Sequence, residues 1–314
     1  MVKIAFLFPG QGSQFVGMGK DFFEHLPDAQ TLFGQACAAV GNDLSGICFN
    51  GPEEDLNLTQ NTQPAILTHS IIALKTLTQH GIESVVAAGH SLGEYSALVA
   101  AGALSFRDAV RLVHLRGRFM QEAVPVGVGA MAAVIGLPLS QIEDICRRHS
   151  TQGRLVHPAN MNSPEQTVIA GHRQAVEQAS AEAKASGAKK TIMLPVSAPF
   201  HCSLMKPAEQ KLQKELEQTE FRDLSFPVIT NVDAQPITKG SEARQALVRQ
   251  VCSPVRWVET MERLVADGVQ TVVEIGPGKV LSALMRRFNK AIQCHQVEDR
   301  DSLDKTLSAL KNGI

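Results

Sequence analysis

Val85-Val86-Ala87-Ala88 runs straight into Gly89-His90-Ser91-Leu92-Gly93, and an alanine-rich helical pattern over 95–101 leaves it. An apolar run of β-formers, a Gly-x-Ser-x-Gly turn and a helix make the context of a nucleophile elbow. The two glycines allow the tight turn and leave room around Ser91, so that its hydroxyl stands clear at the tip. The first N–H groups of the helix and its dipole then face whatever sits on that hydroxyl, which suits a developing oxyanion. A glycine-rich loop with an idle serine is the plainer alternative. The correct flanks on both sides count against it.

The rest of the chain repeats this strand-then-helix rhythm. Residues 4–8 form an apolar strand ended by Pro9-Gly10-Gln11-Gly12-Ser13-Gln14. A loop so rich in glycine suits an anion or ligand oxygen held on backbone N–H groups. It lacks both the Gly-Lys-Ser/Thr end of a phosphate loop and the Gly-x-Gly-x-x-Gly spacing of dinucleotide binding. Two helical patterns over 21–40 break at Pro27, 53–61 is polar and loop-like, and 62–79 is helical. A further helix over 105–122 opens on Ser105 and Asp108 at capping spacing, with Ala109, Leu112, Val113 and Phe119 on its apolar face.

At Pro125-Val126-Gly127-Val128-Gly129 the rhythm changes. Strands at 130–135, 155–160, 167–170 and 190–194 and helices at 140–149 and 173–185 give the order β-α-β-β-α-β, the ferredoxin-like unit. Beyond Pro195 the first pattern resumes. A turn over 197–201 leads to a helix over 204–218, and a strand over 227–232 comes next. Helices over 241–251 and 254–266, a strand over 270–275, a helix over 280–289, a strand over 292–297 and a helix over 302–310 close the chain. The expected fold is α/β: a large, hydrolase-like domain with a mainly parallel sheet, residues 1–126 and 197–314, and an inserted ferredoxin-like domain, residues 127–196. Sites in such sheets lie at the carboxyl ends of strands, where Gly10-Gln11, Ser91 and Gly276 all fall.

Composition narrows the function classes. With 314 residues, 44% apolar and 19% charged, the chain can bury a substantial core without a disulfide or metal staple. A formal net charge of -1 gives no reason to expect nucleic acid or an anionic membrane as partner. The six cysteines are scattered with no C-x-x-C pair, which argues against zinc and fits reduced thiols. Met1-Val2-Lys3 enters a strand directly, with no cleavage site after it, and no apolar run approaches the roughly 20 residues of a membrane helix. The expectation is a cytoplasmic monomer.

A serine hydroxyl needs a base within hydrogen-bond reach. Ten histidines are available. His90 adjoins the nucleophile, and its side chain is expected to point away. His25, His69, His80, His114, His149 and His172 lie in or beside helical patterns, and His157 and His295 in strands. His201 stands apart in a proline-bracketed turn at the head of a helix, with no charge pattern to explain it. Spacing alone leaves the choice open.

Six motifs occur in order across nearly the whole chain: Pro9-Gly10-Gln11-Gly12-Ser13-Gln14, Gly89-His90-Ser91-Leu92-Gly93-Glu94, Arg116-Gly117-Arg118-Phe119-Met120-Gln121, Asn160-Met161-Asn162-Ser163-Pro164, Pro199-Phe200-His201 and Glu274-Ile275-Gly276-Pro277-Gly278. Together they resemble the malonyl-CoA:acyl-carrier-protein transacylases of bacterial fatty acid synthesis. The resemblance implies that Ser91 is the acylated nucleophile and His201 its general base. It implies that the main-chain carbonyl of Gln250 orients the histidine, which accounts for the lack of a convincing triad Asp. The oxyanion donors would be the N–H groups of Gln11 and Leu92. Arg116 would hold the free carboxylate of malonyl, a task that suits a planar, always-charged guanidinium. Phe200 resembles the residue that keeps the pocket too small for a methyl branch, and Asn160 and Asn162 match cleft-lining positions without an assigned step. Arg111 and Arg118 read as solvated helix face.

The resemblance also implies a two-step exchange without metal or permanently bound cofactor. Malonyl-CoA acylates Ser91, and the phosphopantetheine thiol of acyl carrier protein removes the acyl group. Such carriers are acidic, so Arg286, Arg287 and Lys290, or Lys189 and Lys190, are rim candidates, although solvated charge explains each group as well. A serine esterase or thioesterase would use the same elbow with water as second nucleophile. Against it stand the missing HGGG-type loop, the missing acid residue, and Arg116, which would reject neutral acyl chains. A non-enzymatic carrier-protein scaffold is a third reading, opposed by the intact Ser91 and His201.

Overall fold

Along the first strand, Ile4, Phe6 and Phe8 face one hydrophobic core while Ala5 and Leu7 face another. A strand buried on both faces belongs inside a sheet covered on two sides. In the computed structural model, which describes residues 2–196 and 198–312, it does. The chain opens with β1 (Ile4–Phe8) and β2 (Val86–Gly89). A central block holds β3 (Gly129–Ile135), β4 (Val156–Ser163), β5 (Gln166–His172) and β6 (Lys190–Met193). The last are β7 (Val228–Ile229), β8 (Pro236–Ile237), β9 (Thr271–Ile275) and β10 (Gln293–Val297). The first sheet runs β10-β9-β1-β2-β7-β8, parallel throughout except for the β7–β8 pair at its edge.

The central block makes a separate antiparallel sheet ordered β4-β5-β3-β6. Ala130, Ala132 and Val134 of β3 pack under the helices Leu139–His149 and Arg173–Ala185, whereas Met131 and Ala133 join the core of the larger sheet. The two sheets also meet through backbone. Met161 donates to the carbonyl of Val255 at 2.9 Å, and Val255 donates to that of Ala159 at 2.8 Å. This pins β4 over the carboxyl ends of the parallel strands.

Four segments depart from the sequence expectation. The polar stretch 53–61 is helical: Glu53–Asn57 is a short helix with Leu56 fully buried, and the next helix already begins at Thr59. Its acidic residues suit a helix N-terminus, where they oppose the dipole, so polarity there does not mean loop. Leu44–Asn50 is a helix with no counterpart in the sequence expectation, capped by Asp43, whose carboxylate accepts from Gly46 N at 2.9 Å. The strand expected over 227–232 shrinks to Val228–Ile229. Asn231 turns its N–H to a carboxylate instead of a ladder, and the chain folds back into β8, whose Pro236 is tolerated only at an edge. Last, the helix expected from 254 begins at Trp257. Ser197, the first residue of the expected turn before His201, lies outside the described residues.

Pro64 sits inside the helix Thr59–Thr78 and cannot donate to the carbonyl of Gln60. The ring Nδ1 of His114 occupies that acceptor at 2.9 Å. His114 belongs to the helix Phe106–Glu122, and Gly117 on the same helix lets the two backbones touch: a Cβ there would lie 2.5 Å from the Thr59 carbonyl oxygen. This close crossing delivers Arg116 to the crevice.

The elbow is equally tight. A Cβ on Gly93 would stand 2.1 Å from the Phe8 carbonyl oxygen, which is backbone and cannot move aside. Gly93→Ala should therefore destabilise the protein by at least about 2 kcal/mol. Gly34→Ala, in the helix Pro27–Val40 with open space around it, should be neutral or stabilising by up to about 1 kcal/mol. Urea unfolding of the two variants checks the contrast, and equal midpoints would contradict it.

Candidate active site

β1 and β2 are parallel neighbours with Phe8 opposite Gly89, so the loops after them leave the sheet side by side. Gly10 is required there, since a Cβ would meet the His90 carbonyl oxygen at 2.5 Å. Ser91 has φ 52°, the left-handed conformation a nucleophile elbow imposes on a residue that does not favour it. Asn231, just beyond β7, holds the turn: its Oδ1 accepts from Ser91 N at 2.6 Å and its Nδ2 donates to the Gly89 carbonyl at 2.7 Å.

His201 comes from the opposite wall, with φ 58°. Its Nε2 lies 2.7 Å from Ser91 Oγ, and its Nδ1 lies 2.9 Å from the main-chain oxygen of Gln250. A carbonyl can only accept, so Nδ1 carries the proton and Nε2 presents a lone pair to the serine hydroxyl. Burial, followed by the positive charge of Arg116, lowers the His201 pKa to about 3.

Arg116 is 1% exposed. Its Nη1 donates to Gln63 Oε1 at 2.9 Å, and its Nη2 donates to both Ser91 Oγ and Gln250 Oε1 at 3.0 Å. No carboxylate among the described residues touches it, its Nε has no partner among them, and the Tyr95 ring lies under it at 5.8 Å. A buried guanidinium held only by neutral oxygens retains charge that a ligand carboxylate can meet. Arg111, by contrast, pairs with Glu215 at 2.6 Å, and Arg118 approaches Glu122 at 3.8 Å.

Ser91, His201 and Arg116 line a cavity of about 100 Å³ together with Gln11, Leu92, Asn160 and Phe200. The N–H groups of Gln11 and Leu92 donate to no protein group among the described residues. Asn160 and Asn162 both lie on β4, with a register irregularity between Met161 and Ser163; Asn162 Oδ1 meets His90 Nε2 at 2.8 Å. His90 thus turns to the small sheet and away from the Ser91 hydroxyl, its ring 5.5 Å from that of Trp257. A second cavity, about 280 Å³, shares Gln11 and His90 with the first and is lined also by Asn162, Gln166 and Arg287. Of the other rim candidates, Arg286 donates to the Cys294 carbonyl and Lys189 pairs with Glu165.

Sequence reasoning did not single out Gln63, Asn231, the Glu94 side chain or the amide of Gln250. Gln63 gave no signal in the sequence: the polar residues Asn61, Thr62, Gln63 and Thr68 of its helix are all buried, which their residue types do not announce. For Glu94 the signal was a lone charge in an alanine-rich helix.

The Acyl transferase domain family matches residues 5–302. The malonyl CoA-acyl carrier protein transacylase of Bacillus subtilis (strain 168) is 49% identical over 311 residues, 99% of this chain and 98% of that protein. The chain belongs to the acyl transferase family, among the malonyl CoA-acyl carrier protein transacylases. The solved malonyl CoA-acyl carrier protein transacylase of Coxiella burnetii superposes with a TM-score of 0.95 at 42% identity, covering 99% of this chain and 97% of the other. A malonyl-transacylase solved in complex with its type II PKS acyl-carrier protein gives 0.94 at 46% identity, covering 99% of both chains. Among the described residues of this acyl transferase, no His, Cys, Asp and Glu side chains group to hold a metal ion. None of its described helices is long and apolar enough to cross a membrane.

The depressed His201 pKa has a consequence for stability. Between about pH 6.5 and pH 3 the unfolded chain protonates this ring and the folded one does not. The stabilisation is fully present above pH 6.5 and is lost as pH falls toward 3. His201→Gln lacks this titration. The stability of the parent relative to His201→Gln should fall on going from pH 7 to pH 4.5 in urea titrations; a constant difference would contradict the buried neutral ring.

Proposed function

We propose that this acyl transferase moves the malonyl group from malonyl-CoA to the phosphopantetheine thiol of acyl carrier protein through a malonyl ester of Ser91. The observation that carries this reading is a guanidinium without a carboxylate partner among the described residues, 3.0 Å from the serine that the histidine activates. A hydrolase for neutral acyl chains has no use for a buried charge at that point. Acyl transferases to which the chain is similar act on malonyl by name, and one was solved with its carrier protein.

The Ser91 hydroxyl attacks the thioester carbonyl while Nε2 of His201 takes its proton. The N–H groups of Gln11 and Leu92 receive the oxyanion, and coenzyme A leaves with the proton from His201. The carrier thiol then passes its proton to His201, attacks the ester, and Ser91 recovers a proton as the tetrahedral intermediate collapses. A malonyl carboxylate on Arg116 offsets the charge that lowers the basicity of His201, so the right substrate also eases the proton transfer. Phe200 walls the acyl pocket against branched groups. The second cavity takes the pantetheine arm along Asn162 and Gln166, with Arg287 at its mouth for an acidic partner.

Arg116→Ala should lower malonyl transfer by one to two powers of ten, the value of about 1.5–3 kcal/mol for a charge-assisted hydrogen bond. Acetyl transfer should hold steady or rise, and Arg116→Lys should recover part of the loss. Rates to holo carrier protein from malonyl- and acetyl-CoA, measured beside free acid release, test this. An equal fall for both substrates makes Arg116 structural, and free acid as the main product makes the protein a thioesterase.

A further inference from the structure

Glu94 comes directly after the elbow and is 1% exposed, yet the acyl-transfer steps give it no task. Its Oε2 accepts from Asn231 N at 2.8 Å and from Gln250 Nε2 at 2.9 Å, while Oε1 has no partner among the described residues. Gln250 Nε2 also donates to the Ser91 carbonyl at 3.0 Å and lies 3.3 Å from Asn231 Oδ1. The nitrogen end of this amide is thus surrounded by acceptors. Its oxygen end points the other way, to Arg116 Nη2 at 3.0 Å. Were the amide reversed, an NH₂ group would face the guanidinium, donor against donor.

We propose that Glu94 is a positioning residue for substrate selection: its Oε2 fixes the orientation of the Gln250 amide and thereby holds Arg116 where a substrate carboxylate meets it. The proposal rests on the reading of Arg116 as the malonyl clamp. Asn231 already gives its Oδ1 to Ser91 N, so Glu94 is the acceptor that the Gln250 amide does not share with the elbow backbone. Burial raises the Glu94 pKa to about 7. Protonation at the unpartnered Oε1 leaves Oε2 free to accept, so the task does not require the charge. Glutamine offers the same acceptor oxygen; leucine offers none.

The test is acyl-enzyme formation (kcat/KM) from malonyl-CoA and from acetyl-CoA in the parent, Glu94→Gln, Glu94→Leu and Arg116→Ala. The expected result is a malonyl-to-acetyl ratio within about twofold of the parent for Glu94→Gln. For Glu94→Leu it should fall on the order of tenfold, about one hydrogen bond. A merely structural role would lower both substrates alike and leave the ratio unmoved. If Glu94→Leu does not fold, Gln250→Met serves, because it removes the relaying amide and keeps the carbonyl that orients His201. A parental ratio in Glu94→Leu, or in Gln250→Met where it stands in, beside a collapsed ratio in Arg116→Ala overturns the Glu94 proposal alone. A parental ratio in Arg116→Ala overturns the clamp reading and this proposal together. Loss of the ratio in Glu94→Gln as deep as in Glu94→Leu overturns the acceptor account.

Discussion

One carbonyl oxygen organises the crevice. Gln250 is the last residue of the helix Gly240–Gln250, and the carbonyls of a final helical turn have no partner within the helix. That oxygen accepts the Nδ1 proton of His201 at 2.9 Å and so commits the ring to one tautomer, with its lone pair on the serine. A carboxylate in this place would stabilise an imidazolium; a neutral carbonyl does so far less. With a guanidinium also 3.0 Å from Ser91 Oγ, the ring stays neutral in the free protein. In the proposed mechanism the base is therefore weak at rest, and a substrate that brings its own negative charge restores what the site withholds.

The same residue links orientation to selection. The backbone of Gln250 addresses His201 and its side chain addresses Arg116, Ser91 and Glu94. A shift of the helix end would disturb His201, Ser91 and Arg116 together. This explains why the surroundings are built from rigid contacts: Gly117 against the Thr59 backbone, Gly93 against Phe8, and β4 bonded to Val255. Each holds a wall of the crevice to its neighbour by backbone, where a side chain could yield.

Much of this was legible in the chain. The elbow, the strand-and-helix alternation and the small antiparallel unit arise from local patterns, and they lie where the patterns put them. The resemblance supplied His201 and Gln250, which spacing left open. Gln63, Asn231 and the amide of Gln250 stayed hidden because their work is done across 53 to 159 residues of chain by neutral groups that carry no periodic signature. The segment 53–61 misled for a different reason: its acidic residues describe a helix start as well as a loop. Short β7 departed from expectation because a tertiary contact, Glu94 with Asn231 N, took the hydrogen bond a longer ladder needed.

A malonyl ester at Ser91 that a carrier thiol can discharge is the centre of the proposed mechanism. Peptide-level mass spectrometry after brief exposure to malonyl-CoA, then after addition of holo acyl carrier protein, measures both halves. The predicted result is one malonyl group on the peptide bearing Ser91, lost on addition of the carrier as malonyl-carrier accumulates. Malonyl on another residue, or free malonate released with no ester trapped and no malonyl-carrier formed, would contradict it.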